Sequence, residues 1–255
     1  MITAGVDCGS KNVRVVIVKD GEIMAQSMAP AGMDAAKAAQ DAYDKALAEA
    51  GIAAGDVAKV VATGAGKNEP GFKNDVVTEV GADAKGAVHL FPEARTVIDV
   101  GAEEGRAIKI DAQGKVIDFA INEKCAAGAG AFTESMARAL EVKLEELGPL
   151  SLESTRAIPM NAQCAVFAES EVVTLVHKKT SKQDMARAIH DAIADRITSM
   201  VRRVGIEEKI VLIGGVSYNV GFVKSLEEDL KTKVLIPERA EFVGALGAAL
   251  VAASK

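Results

Sequence analysis

The apolar positions of the chain alternate between two periods, one typical of strands and the other typical of helices. Short runs rich in β-branched residues predict buried strands within 2–19 and at 22–27, 58–62, 95–100, 106–111, 115–120, 209–213 and 233–236. Longer segments with helical spacing predict helices at 34–50, 78–91, 128–140, 164–177, 183–204, 219–231 and 241–253. Asp34 is placed to cap the first helix, and Gly51 is placed to end it. Strands alternating with helices predict mixed α/β sheets.

The pattern that starts near residue 95 repeats the pattern at the start of the chain. In both places a strand is followed by an Asp, a small residue and a Gly, and then by a charged loop and a second strand. The motif VDCG at 6–9 matches IDVG at 98–101 in kind. We interpret this as an internal repeat of two βββαβα-type halves, residues 1–94 and residues 95–255, with Cys125 and Cys164 both in the second half.

Composition narrows the possible functions. The chain has 255 residues, of which 49% are hydrophobic, so it can bury a substantial core. Its net charge is −6 and it has no basic tract, which argues against a nucleic-acid partner. The first residues contain no basic stretch followed by an apolar run, and no segment is apolar enough to span a bilayer. We therefore expect a cytoplasmic protein that has no membrane partner.

Two Asp-and-Gly loops have the character of phosphate-binding loops. Glycine lets backbone N–H groups approach phosphate oxygens, and Ser, Lys and Asn side chains donate further hydrogen bonds. Asp7 is itself acidic, so it would act on a nucleotide through Mg²⁺ or a water molecule. Neither loop is a P-loop or a dinucleotide-binding fingerprint. The candidate nucleotide-binding residues are Gly9, Ser10, Lys11, Asn12, Gly101, Gly214, Gly215 and, at the start of the small-residue closing helix, Gly244.

Two cysteines lie at the start of predicted helices. A helix N-terminus favours a thiolate or a bound anion, and Gly128 and Gly130 beside Cys125 leave room for inorganic sulfide. A [4Fe–4S] cluster usually needs four thiolates, whereas one chain offers two, Cys125 and Cys164. A two-fold dimer would supply all four, with the cluster on the axis. The alternative is that these cysteines are buried small hydrophobic residues, as we expect for Cys8 beside the first loop.

These motifs together resemble one family. The segments CAAGAGAF (125–132), CAVFAESEV (164–172), GVDCG (5–9), DVG (99–101) and IGG (213–215) are similar to those of the ATPases that activate 2-hydroxyacyl-CoA dehydratases. The same family includes the ATPase subunits of ATP-dependent benzoyl-CoA reductase, and the resemblance covers essentially the whole chain. It implies an actin-like (acetate kinase/Hsp70/actin) fold, ATP or ADP with Mg²⁺, and one [4Fe–4S] cluster per dimer, held by Cys125 and Cys164.

The resemblance also implies a function. Reduced ferredoxin or flavodoxin would load the cluster, and ATP binding and hydrolysis would change the angle between the two cluster-bearing helices. An electron would then pass at very low potential to a CoA-ester dehydratase or a benzoyl-CoA reductase-type partner, under anaerobic conditions. The second ATPase subunit would be an identical chain or a paralogue.

The second loop departs from the pattern of the dehydratase activators. Residues 102–106 read Ala-Glu-Glu-Gly-Arg where those activators tend to have Gly-Gln-Asp, and the segment 85–111 is closer to the reductase side, so the final partner stays open. Glu103 or Glu104 would position the hydrolytic water or Mg²⁺, unless both are ordinary surface carboxylates. The candidate catalytic residues are Asp7, Asp99, Glu103 and Glu104.

Two other functions remain at this stage. A small-molecule kinase of the same fold would use Asp99 as its base and would leave the cysteine helices with a structural role. A regulatory nucleotide-binding module would perform no chemistry.

Overall fold

The computed structural model describes residues 1–122, 129–160 and 165–254, and these residues form two five-stranded sheets with helices. The first sheet contains β1 (Ile2–Cys8), β2 (Asn12–Lys19), β3 (Glu22–Pro30), β4 (Lys59–Thr63) and β5 (Asp75–Val76), in the order β3-β2-β1-β4-β5. Strand β1 is antiparallel to β2 and parallel to β4. The helix α1 (Ala35–Ala50) connects β3 to β4.

The second sheet repeats this arrangement. It contains β6 (Thr96–Val100), β7 (Gly105–Ile110), β8 (Val116–Asn122), β9 (Ile210–Ile213) and β10 (Val234–Leu235), and its order from the β8 edge is β8-β7-β6-β9-β10. In both sheets the first strand is therefore central, with the second and third strands on one side and the fourth and fifth on the other. The internal repeat predicted from the two Asp-and-Gly motifs is present in the topology.

The remaining helices come between and after the strands in chain order. They are α2 (Glu79–Leu90), α3 (Ala129–Ala139), α4 (Leu144–Leu152), α5 (Ala165–His177), α6 (Lys182–Val204), α7 (Val220–Leu230) and α8 (Val243–Ser254). The predicted cap of α1 is confirmed, because the Asp34 carboxylate accepts a hydrogen bond from the Lys37 backbone N–H at 2.9 Å. Gly51 ends α1 in the left-handed conformation, with φ 66°.

Helix α4 was not predicted from the sequence. Gly148 and Pro149 lie inside it, and both residue types are poor helix formers. Leu147 of this helix is fully buried in a core that also contains Met136 of α3 and Ile189 of α6. Burial in this core stabilises α4 in spite of its weak local propensity.

The described chain divides into two compact units. The first comprises Met1–Val97, Ile110–Ile117 and Pro237–Lys255, and the second comprises Ile98–Lys109 and Asp118–Ile236. This division differs from a single boundary after residue 94, because the closing helix α8 groups with the N-terminal strands. Sequence periodicity marks where a helix forms, but it does not identify the distant strand on which that helix packs.

Helix α8 packs tightly between β1 and α2 within the first unit. A Cβ atom added to Gly5 of β1 would lie only 1.9 Å from the Ala245 carbonyl oxygen, and one added to Gly247 would lie 1.8 Å from the Ala82 carbonyl oxygen. Only glycine therefore permits these approaches. Among the described residues, no helix is long and apolar enough to cross a membrane.

Candidate functional site

The first loop joins β1 to β2 in the first unit. Asp7 lies near the end of β1, and the Gly9 N–H donates to the Asn12 carbonyl at 3.1 Å, which closes a tight turn. The side chains of Ser10 and Lys11 are exposed, as phosphate-binding groups need to be. An arginine of β2, Arg14, places its Nη1 atom 3.6 Å from Oδ2 of Asp7. The loop predicted from sequence is therefore formed, with Arg14 as an additional charged neighbour.

Two further segments of the first unit meet Asp7. Gly64, which follows β4 with φ 91°, lies so close that an added Cβ atom would be 2.6 Å from Oδ1 of Asp7. An added Cβ atom on Gly244 would lie 3.5 Å from Oδ2 of Asp7 and 3.1 Å from Oδ1 of Asp83 in α2. Asp83 is buried. The carboxylates of Asp7 and Asp83 thus line the start of α8, and carboxylate oxygens are the ligands that Mg²⁺ prefers.

Cys8 is not a reactive group in this loop. Its side chain is buried, and burial raises the pKa of the thiol to about 12, with the neighbouring Asp7 carboxylate adding to the increase. A thiol with this pKa stays protonated at neutral pH, whereas iron needs a thiolate. This supports leaving Cys8 out of the metal ligands.

The second loop joins β6 to β7 in the second unit. The Gly101 N–H donates to the Glu104 carbonyl at 2.9 Å, so this turn has the same hydrogen bond as the turn at Gly9. Asp99 is buried, and Nη1 of Arg106 lies 2.5 Å from its Oδ2 atom. The Nη2 atom of Arg106 lies 2.5 Å from Oε2 of Glu104. Glu103 is exposed, so the two candidate glutamates differ in their surroundings.

The strand that follows the helices in the second unit brings another glycine to this loop. Gly214 has φ 88° and follows β9, and an added Cβ atom would lie 2.5 Å from Oδ1 of Asp99. This matches the approach of Gly64 to Asp7 in the first unit. Gly215, in contrast, is exposed, and an added Cβ atom there would meet nothing within 4 Å. Gly214 has a packing role beside Asp99, whereas Gly215 leaves open space.

The second loop is also joined directly to helix α3. The Gly130 N–H donates to the Gly101 carbonyl at 3.2 Å, and the Ala131 N–H donates to the Ala102 carbonyl at 2.9 Å. An added Cβ atom on Gly130 would lie 2.9 Å from Cα of Ala102. The first turn of α3 and the second loop are therefore in backbone contact.

The two candidate metal ligands, Cys125 and Cys164, lie outside the described residues. The helices that follow them, α3 and α5, pack against each other, and Phe132 of α3 and Val172 of α5 belong to the same buried core. Ahead of Cys164, the Asp184 carboxylate of α6 accepts hydrogen bonds from the backbone N–H groups of Thr155 and Arg156, each at 3.0 Å. Within 1–122, 129–160 and 165–254, no group of three or more His, Cys, Asp or Glu residues is arranged to hold a metal ion.

Sequence reasoning missed four residues that lie next to the predicted site residues. They are Arg14, Gly64, Asp83 and Arg106. Three of them carry a signal in the repeat, because Arg14 and Arg106 follow their aspartates by the same seven positions, and Gly64 follows β4 as Gly214 follows β9. Asp83 carries no such signal, because it comes from a helix packed against α8.

Solved structures of similar chains have the same fold. Component A of (R)-2-hydroxyglutaryl-CoA dehydratase from Acidaminococcus fermentans superposes with a TM-score of 0.95 and 37% identity, covering 100% of this chain and 98% of that one. The activator of 2-hydroxyisocaproyl-CoA dehydratase from Clostridium difficile, solved with bound ADPNP, gives a TM-score of 0.91 and 34% identity, covering 99% of this chain and 94% of that one. The predicted actin-like α/β fold is confirmed.

A relative from the reductase branch is about as similar. One of the benzoyl-CoA reductase subunits of Thauera aromatica is 34% identical over 261 residues, which cover 98% of this chain and 92% of that protein. These identities do not separate the two branches. The profile of the BadF/BadG/BcrA/BcrD ATPase family matches residues 4–252, and the prediction of an ATP-hydrolysing enzyme is confirmed. The chain therefore belongs to the BadF/BadG/BcrA/BcrD ATPase family.

Proposed function

We propose that this ATPase is an electron-transfer component that couples ATP hydrolysis to the delivery of low-potential electrons. Ferredoxin or flavodoxin would be the donor, and a CoA-ester dehydratase or a benzoyl-CoA reductase-type enzyme would be the acceptor. The names of the relatives support this role, because two are dehydratase components or activators and one is part of a benzoyl-CoA reductase. Cys125 and Cys164 of two chains would hold one [4Fe–4S] cluster, which carries the electron when bound.

The observation that carries the proposal is the contact between the second loop and α3. Gly130 and Ala131 donate backbone hydrogen bonds to the Gly101 and Ala102 carbonyls, and Gly130 is five positions after Cys125. A loop that responds to a nucleotide phosphate would therefore act directly on the helix that follows a candidate cluster ligand. ATP can perform work on the electron only if its two states favour different arrangements of that helix.

Each of the two loops offers groups that suit a nucleotide. Backbone N–H groups near Gly9, together with Ser10 and Lys11, suit phosphate oxygens, while Asp7 and Asp83 suit a Mg²⁺ ion. In the second loop, Asp99 and Glu104 would orient an attacking water molecule. Gly215 leaves space where a nucleotide can lie against the backbone.

The described residues that flank the cysteines in the sequence support the proposed cluster. Cys125 and Cys164 precede helices that pack into one core, and the segment before Cys164 is anchored by Asp184. The pKa of Asp184 falls to about 2, first because the Ser181 side chain hydrogen-bonds to it and then because the Thr155 and Arg156 amides do so, and this keeps the anchoring carboxylate charged. In this arrangement the chain's own helices would hold the two thiolates of each protomer in a defined place.

Alanine variants of the three cysteines test the proposal. We expect the anaerobically purified chain to be a brown dimer with about two irons per chain, since four irons are shared by two chains. Cys125→Ala and Cys164→Ala should each lose the iron and the visible absorption, while Cys8→Ala, the matched control at a buried thiol, should keep both. Iron analysis, absorption spectra and size-exclusion chromatography give the readouts. Full iron content in the Cys125→Ala or Cys164→Ala variant would contradict the ligand assignment.

The kinase alternative predicts a different outcome in the same preparation. A kinase would be colourless and would transfer phosphate from ATP to a small metabolite. Electron delivery would instead require ATP, a low-potential reductant and bound iron together. Phosphoryl transfer by an iron-free chain would overturn the proposed function.

A further inference from the structure

The two arginines of the repeated loops are alike in position but differ in their contacts. Arg14 and Arg106 each follow the loop aspartate by seven positions, and each lies on the second strand of its sheet. The Nη1 atom of Arg14 is 3.6 Å from Oδ2 of Asp7, which is an ion pair beyond hydrogen-bond length. Arg106 makes two contacts of 2.5 Å, one to Asp99 and one to Glu104. Within the described residues, Arg106 therefore bridges two carboxylates of the second loop.

The repeat identifies the source of this difference. The residue of the first loop that corresponds to Glu104 is Asn12, since each accepts through its carbonyl from the glycine three positions earlier. Asn12 is neutral, whereas Glu104 is a carboxylate close to a second carboxylate, Asp99. Two like charges in a partly buried turn repel each other unless a cation lies between them.

We propose that Arg106 is a positioning residue that holds Asp99 and Glu104 in the arrangement needed for ATP hydrolysis. The guanidinium group is planar and offers separate donors on its two arms, so one side chain can fix two carboxylates at once. A lysine would bring the same charge as a single point and could not hold both in this way. The inference rests on the proposed function, because it takes the second loop as part of the hydrolytic site.

The burial of the three side chains argues for a positioning role. The Arg106 and Asp99 side chains are each 11% exposed, while Glu104 is 33% exposed. A single pair with Asp99 would already neutralise the buried charge of Arg106. The second arm instead holds a carboxylate that is still accessible to solvent, and this is where a carboxylate must lie to act on a water molecule. Among the residues that the structure describes, none supports the exposed Glu103 side chain in this way, so Glu103 is not part of this arrangement.

The test compares variants at Arg106 with a control on the same strand. Arg106→Gln removes the charge, and Arg106→Lys keeps the charge without the two arms. Lys109→Gln is the matched control, because it removes an ion pair of β7 with Glu207, 2.6 Å in length, without touching the loop. The steady-state kcat and KM for MgATP, the thermal unfolding curve and the iron content are measured for each purified full-length variant.

We expect kcat of Arg106→Gln to fall by about 30- to 100-fold, with KM for MgATP changed by less than about threefold, because a positioning group acts on the hydrolytic step. The kcat of Arg106→Lys should fall by about tenfold, and the kcat of Lys109→Gln should stay within about twofold of the wild-type value. If Arg106→Gln does not fold, the Arg106→Lys variant decides. An unchanged kcat in Arg106→Lys, or a failure of that variant to fold as well, would overturn the inference.

A double variant separates this inference from the proposed function. If Arg106 acts through Glu104, Glu104→Gln combined with Arg106→Gln should be no more than about threefold slower than the slower single variant. Independent, multiplicative losses would overturn the positioning role while leaving the loop's part in hydrolysis intact. Wild-type hydrolysis by Glu104→Gln and Asp99→Asn would instead remove the second loop from the proposed hydrolytic site.

Discussion

Replacing Gly130 by alanine tests whether the contact between the second loop and α3 makes the conformation of α3 depend on the bound nucleotide. The new Cβ atom would lie 2.9 Å from Cα of Ala102 and 3.1 Å from the Gly101 carbonyl oxygen, both backbone atoms. Ordinary carbon contacts begin near 3.4 Å. The start of α3 must therefore move away by about half an ångström. This movement breaks the hydrogen bond from Gly130, now 3.2 Å long, and weakens the bond from Ala131.

The expected magnitude follows from those two bonds. A backbone hydrogen bond contributes about 1 kcal/mol net, so the contact transmits at most about 2 kcal/mol, or roughly a 30-fold change in an equilibrium. The unfolding free energy should change less, by about 1 kcal/mol. Alanine gains up to about 1 kcal/mol over glycine in a helix, and this offsets part of the overpacking. The variant should thus remain folded and still hydrolyse ATP.

Amide hydrogen exchange in α3 provides the assay. In the wild-type chain, protection of residues 129–133 should differ between ADP and a non-hydrolysable ATP analogue, and this difference should nearly vanish in Gly130→Ala. Gly55→Ala is the matched control, because an added Cβ atom at Gly55 meets nothing within 4 Å. A nucleotide-dependent difference of wild-type size in Gly130→Ala would refute the reasoning. A variant that no longer binds nucleotide would also contradict it.

Two further predictions concern stability. Gly247→Ala forces a Cβ atom to within 1.8 Å of the Ala82 carbonyl oxygen. Urea unfolding should therefore show that the free energy of unfolding falls by about 3 kcal/mol or more. A decrease below about 1 kcal/mol would contradict the packing of α8. Burial lowers the pKa of His190 to about 4, so between pH 6.5 and 4 the unfolded state binds the proton first. The unfolding free energy should fall by about 3 kcal/mol as the pH falls over that range. His190→Leu should remove most of this pH dependence, and a dependence of wild-type size in that variant would show that another group causes it.

The sequence predicts the local structure better than the packing. Helical and strand periodicity locate nearly every element, because side-chain spacing depends on neighbouring residues alone. Helix α8 is apolar on all sides, which indicates burial on more than one face, yet its contacts with Gly5 and Ala82 join segments far apart in the chain. Helix α4 was not predicted, because Pro149 within it suggests a turn. The helix forms since the distant partners of Leu147 in the core stabilise it.

The candidate site shows the same division. The loop residues Asp7 and Asp99 follow from a motif that local sequence displays. Their charged partners are harder to infer, since an arginine in a strand can equally face solvent. An alignment of the two halves with an offset of 92 positions pairs Arg14 with Arg106 and Asn12 with Glu104. This pairing indicates both arginines as candidate partners of the loop aspartates. Asp83 has no counterpart in this alignment, so only the packed helices bring it to Gly244.

The two halves also share a backbone contact with their loops. In the first half, the Ala31 N–H donates to the Lys11 carbonyl at 3.0 Å, so the segment that leads to α1 is tied to the first loop. In the second half, the segment after the third strand leads to α3, which is tied to the second loop through Gly130. In both halves, the chain that follows the third strand thus donates a backbone hydrogen bond to the loop. Only the second copy follows Cys125 in the sequence and contacts the loop that contains Glu104, so we place the proposed coupling to the cluster in the second half.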